Sequence, residues 1–197
     1  MEDELNPELE ACAAAGDVRA LAYLGMLYLG ASDSSSPESY GFGAGIAPAE
    51  LLAEGRRLIE LAAERGNAEA QNELGLAYFR GDFGYEINTD LALDWLSAAT
   101  EGGDNIAPLN LARMYFSGRG VALSTRDGER YLRLSAERKY KPGRCSLAYW
   151  LDRGADAARQ AEARALREAA ARSDDGYECS DFDVIEELFV SELSDSI

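Results

Sequence analysis

A chain of 197 residues suits one compact domain or one short repeat array. Its 47% hydrophobic and 28% charged residues exclude a chain disordered by composition. Thirty-six acidic against 19 basic residues leave a net charge of −17, a field that repels nucleic acid and anionic membranes and attracts basic partners.

The acidic first residues have no apolar run of the secretory kind, and no stretch approaches 18 uncharged apolar residues, so neither a signal peptide nor a membrane span is expected. The cysteines, Cys12, Cys145 and Cys179, are odd in number and form no C-x-x-C. That pattern predicts no disulfide framework, a reducing compartment and a cytoplasmic protein.

Frequent alanine and sparse β-branched residues favour helix. Apolar spacing predicts eight helices in chain order: 8–30, 48–65, 67–80, 89–101, 104–117, 125–138, 142–152 and 155–172. They alternate between two motifs. One holds Leu24-Gly25 with Tyr28, and recurs as Leu74-Gly75 with Tyr78, as Leu111-Ala112 with Tyr115, and as Leu147-Ala148 with Trp150. The other is Leu61-Ala62-Ala63, then Ser97-Ala98-Ala99, then Leu134-Ser135-Ala136. Small Ala and Gly let neighbouring helices approach closely. Gly66, Gly102 and Gly154 stand where left-handed caps can end helices, and Asn88 or Asp90 can cap a start. The expected fold is all-α, a right-handed α-solenoid of about four helix-turn-helix repeats.

Two segments break the pattern. The Ser/Gly/Pro-rich insert 31–48 predicts a surface loop, in which Tyr40 and Phe42 either meet a partner or tuck onto the first repeat. The acidic tail 173–197 carries Phe182, Ile185, Leu188 and Phe189 on one helical face with Asp183, Glu186 and Glu187 off it. It reads either as a cap on the last helix or as a docking segment. The domains are then 1–172 for the repeats and 173–197 for the tail.

The repeated pattern resembles the Sel-one-like repeat (SLR) family, relatives of the tetratricopeptide repeats. The second repeat carries the match through Ala68, Ala70, Leu74, Gly75, Tyr78, Gly81, Ala92, Trp95, Ala98, Ala99 and Gly102. The third matches at Leu111, Tyr115, Gly118, Gly120, Val121 and Ala136, with Ala112 where the family has Gly. The resemblance covers residues 8–172, with a degenerate fourth repeat. It implies that the first helix of each pair lines a concave face. Positions off the Ala/Leu/Gly/Tyr core then face the groove: Arg19, Ala22, Tyr23 and Met26; Glu69, Asn72, Glu73 and Leu76; Ile106, Leu109, Asn110 and Arg113; Ser146 and Tyr149. The other reading packs Met26, Leu76 and Leu109 between repeats.

The sequence holds no histidine, which removes Ser-His-Asp and Cys-His catalysis and histidine metal sites. Gly41, Gly43 and Gly45 lack the Lys-Ser/Thr of a phosphate loop. No cofactor or metal is expected. The expectation is a non-enzymatic protein-interaction module, monomeric or weakly self-associating. It would act as a bacterial-type immunity, inhibitor or adaptor protein, gripping one basic protein through the concave face, the insert (Tyr40, Phe42) or the tail (Phe182, Glu186, Phe189). A regulatory scaffold and a weak carboxylate hydrolase are the alternatives.

Overall fold

The structure is a computed structural model that describes residues 7–34, 46–154, 156–172 and 179. The described residues are all-α: α1 (Pro7–Ala14), α2 (Val18–Asp33), α3 (Pro48–Glu64), α4 (Ala68–Arg80), α5 (Thr89–Glu101), α6 (Ala107–Ser117), α7 (Thr125–Glu137), α8 (Lys141–Asp152) and α9 (Ala157–Ala171). A 3-10 turn, Asp82–Gly84, follows α4. The chain divides into two compact units, Met1–Asp104 and Asn105–Ile197.

Side-chain caps set most helix starts. Asp17 accepts from the backbone N–H of Arg19 and Ala20, Asn67 from Ala70, Asn88 from Leu91, Ser124 from Asp127 and Asp156 from Ala158. Each satisfies donors that the first helical turn leaves unpaired. Asn88, rather than Asp90, is the cap of α5.

The corners between pairs repeat one hydrogen-bond pattern. At the end of α3, Gly66 N–H donates to Ala63 C=O and Asn67 N–H to Ala62 C=O, with Gly66 at φ 84°. Gly103 and Asp104 make the same two bonds onto Thr100 and Ala99, and Gly103 sits at φ 95°. Gly102 is right-handed at φ −68°, so the left-handed residue of this corner is one position later than the sequence suggested. Gly154 is absent from the left-handed positions as well. In the third corner Lys139, at φ 64°, holds the left-handed place, and Lys139 and Tyr140 donate to Ala136 and Ser135.

The same corner occurs at Gly16 (φ 87°), where Gly16 and Asp17 donate to Ala13 and Cys12. It splits the expected helix 8–30 into α1 and α2. The αL residue and the capping Asp17 end one helix and start another within two residues. α1 thus ends as the second helix of a pair ends.

Unit 1 packs around Leu21, Leu24, Leu58, Ile59, Ala62, Leu74 and Ala77, and unit 2 around Leu109, Phe116, Leu132, Leu147, Leu151 and Ala163. Helix partners touch through positions without side chains. A Cβ on Gly75 would lie 2.8 Å from Leu96, and one on Gly128 would lie 2.7 Å from the Phe116 ring. Contact this close explains why the motifs need such small residues.

Cys145 and Cys179 form a disulfide with a Cα–Cα separation of 5.3 Å, and this corrects the expectation of unpaired cysteines. Cys145 is buried in the core of unit 2, and Cys179 packs against the same core. An odd count left one cysteine over, Cys12, which is exposed and free. The pair removes the cysteine argument for a reducing compartment. No helix among the described residues is long and apolar enough to cross a membrane.

Candidate protein-binding surfaces

The expected groove residues fall into two groups. On α2, Arg19 is exposed and Tyr23 is 54% exposed, while Met26 is half-buried against the core of unit 1. On α4, Glu69 is exposed and Glu73 and Leu76 are half-buried. In unit 2, Ile106 and Arg113 are half-buried and Tyr149 is exposed.

Ala22, Asn72, Leu109, Asn110 and Ser146 are buried, which corrects their placement on an open groove. Leu109 belongs to the core of unit 2. The reason is geometric. α2 lies between α1 and α3, α4 between α3 and α5, and α8 between α7 and α9, so a row at i, i+4 spacing is most of what keeps access to solvent. Arg19 and Tyr23 form such a row, as do Glu69 and Glu73. α6 is buried throughout residues 107–112. Tyr40, Phe42, Phe182, Glu186 and Phe189 lie outside the described residues, as do most of the insert and the tail.

The buried asparagines serve their neighbours. Asn72 donates from Nδ2 to Glu73 Oε1 at 3.2 Å, and Asn110 Oδ1 accepts from Arg113 at 3.2 Å. Burial pushes the Glu73 carboxyl above its ordinary range. The Asn72 bond opposes that rise, Glu69 adds to it, Arg80 opposes it and Asp104 adds to it. Three carboxylates thus share one outward row and its edge, with one arginine among them.

Unit 2 carries a different arrangement that sequence reading missed. Glu129 on α7 accepts from Trp150 Nε1 at 2.9 Å, from Arg133 Nη2 at 2.9 Å and from Arg159 Nη2 at 3.3 Å. Arg133 also pairs with Glu162. Burial on its own would raise the Glu129 carboxyl. The Trp150 bond and the two guanidiniums outweigh it and hold the group below the usual carboxylate range. The network ties α7, α8 and α9 together.

The whole-chain charge conceals a partition that a windowed count reveals. Residues 1–104 hold five basic and twenty acidic residues, a net of −15. Residues 105–172 hold fourteen basic and seven acidic, a net of +7. Residues 173–197 hold nine acidic and no basic residues.

Among the described residues no group of three or more His, Cys, Asp or Glu is arranged to hold a metal ion. No family model and no curated protein matches the sequence. Solved structures do match. A Sel1 repeat protein from Oxalobacter formigenes superposes with a TM-score of 0.69 at 21% identity, covering 83% of this chain and 61% of that one. A protective antigen present in uropathogenic Escherichia coli strains, displaying an SLR fold, superposes with a TM-score of 0.66 at 26% identity, covering 83% of this chain and 32% of that one. The chain therefore spans less than two thirds of the length of either relative. Motif, corners and superposition agree that this chain has the Sel1-like repeat fold, an all-α array of helix pairs.

Proposed function

We propose that the protein is a non-enzymatic interaction module that holds one basic protein partner. The observation that supports this reading most directly is the acidity of unit 1 combined with the outward row of α4. Glu73 is an unusually poorly solvated carboxylate for a surface row, and Glu69 and Asp104 are like charges acting on it. An incoming lysine or arginine relieves both effects, and the net −15 of residues 1–104 speeds its approach. Arg19, Tyr23 and Met26 on α2 supply neighbouring contacts of the kind that interface centres favour.

The finer reading is an immunity, inhibitor or adaptor protein that masks the working surface of a basic toxin or effector. Isothermal titration of the full chain against the basic product of a neighbouring gene tests it. A 1:1 complex that Glu69→Lys with Glu73→Lys abolishes supports the assignment. Unchanged affinity in that variant, or no complex with any basic product, overturns it.

Cytoplasmic residence belongs to this reading only if Cys145 and Cys179 stay reduced in the cell, since stable disulfides persist in oxidising compartments. Thiol trapping in living cells decides the point.

A further inference from the structure

A second surface, opposite in sign to the first, lies in unit 2. α7 and α9 border an open cavity of about 730 Å³, with Trp150 of α8 and Leu134 of α7 supplying apolar lining. Four arginines line it: Arg126, Arg130, Arg133 and Arg159. The acidic lining residues are Glu129 and Glu137, so cations are in excess.

The arginines divide into two kinds. Arg133 and Arg159 are committed to Glu129 and Glu162, and they fix the Trp150 side of the cavity. Arg126 and Arg130 are exposed. Arg130 keeps only a loose ion pair with Asp127, at 3.7 Å, and rests over the Tyr131 ring at 4.5 Å. Arg126 forms no ion pair among the described residues. Two exposed guanidiniums beside an indole whose N–H is already satisfied form a receptor for an anion with an apolar neighbour.

We propose that this cavity binds an acidic polypeptide segment of a partner. Its carboxylates would pair with Arg126 and Arg130, and an adjacent apolar side chain would cover Trp150 and Leu134. A nucleic acid fits less well. Its backbone would run beyond the cavity into the field of a chain that carries −17 overall, whereas a short acidic segment meets only the local excess of arginine. The protein would then hold a basic surface through unit 1 and an acidic segment through unit 2.

The test uses the full chain and a fluorescein-labelled peptide of alternating Glu and Leu, read by fluorescence anisotropy at low ionic strength. Saturable binding is expected. Arg126→Ala with Arg130→Ala should weaken it about tenfold or more while leaving the melting temperature unchanged, because both side chains are exposed. The lysine pair at the same positions should retain part of the affinity. Any of these results overturns the proposal: no binding, equal binding of a Gln–Leu peptide, indifference to the arginine changes, or equally tight binding of an oligothymidylate. So does binding that emerges only after Asp181, Asp183, Glu186 and Glu187 are changed to Asn and Gln, which makes the chain's own tail the occupant.

Discussion

Gly128→Ala puts helix propensity and packing into direct conflict. Gly128 lies within α7, so by propensity alone alanine should stabilise the helix by about 1 kcal/mol. The structure predicts the opposite sign. The added Cβ would sit 2.7 Å from Cε2 and Cζ of Phe116 and 2.9 Å from Cδ2. Carbon atoms in contact prefer roughly 3.5–4.0 Å, so the ring must retreat by about an ångström. It has nowhere to go: Phe116 is fully buried, and its ring lies 4.7 Å from that of Trp150. Overpacking of this kind costs about 1–3 kcal/mol, so the net loss is up to about 2 kcal/mol. For a chain of this size that lowers the melting temperature by up to roughly 4–8 °C. Thermal denaturation followed by circular dichroism reads it. Phe116→Leu removes the obstructing ring edge, so in that background Gly128→Ala should lose most of its penalty, a coupling that a double-mutant cycle isolates. A Gly128→Ala variant more stable than the parent would refute the reasoning.

Three further outcomes follow from the geometry. Glu73 has a raised folded-state pKa, so the stability it contributes is complete below its unfolded value and is lost as pH rises through the folded value. Glu73→Gln should therefore melt higher than the parent at pH 7 and show no advantage near pH 3, a crossover visible in melting curves across pH. Cys145→Ser should cost about 2–4 kcal/mol, since the bond closes a separation of 34 residues. Reductant should lower the parent's melting point towards that of Cys179→Ser, and an identical melting point in both redox states would show that the bond carries no stability. Lys139→Gly should raise the melting point by the equivalent of roughly 1 kcal/mol, because glycine occupies φ 64° without the clash that a side chain meets; a lower melting point would place the strain elsewhere.

Much of the fold was legible because helix starts are written in side chains. Asn67, Asn88 and Ser124 each bond the backbone three residues on, so the expected bounds of α4, α5 and α7 lie within a residue of the observed ones; those of α3 and α8, which carry a proline in the first turn, are as close. The break between α1 and α2 was missed although Gly16-Asp17 has the form of Gly66-Asn67. A continuous apolar period across it outweighed the corner signal. Burial was harder to read. Asn72, Asn110 and Ser146 are polar and so looked outward, yet all three are buried. The disulfide could not be read from spacing, because 34 residues of separation say nothing about proximity until α8 and α9 are folded back on one another. The arginine cavity escaped because its members come from α7 and α9, and because a net charge of −17 averages it away.

The identical corners at Gly16, Gly66, Gly103 and Lys139 have a consequence for how such a chain can change length. Each corner is closed by two backbone bonds onto the helix just completed, and needs nothing from the helix that follows except a start. A segment cut and rejoined between two corners would regenerate a complete corner at the splice. Gain or loss of one helix pair at a time is then the cheapest large rearrangement open to the gene, and insertions of other lengths are confined to the stretches between paired helices.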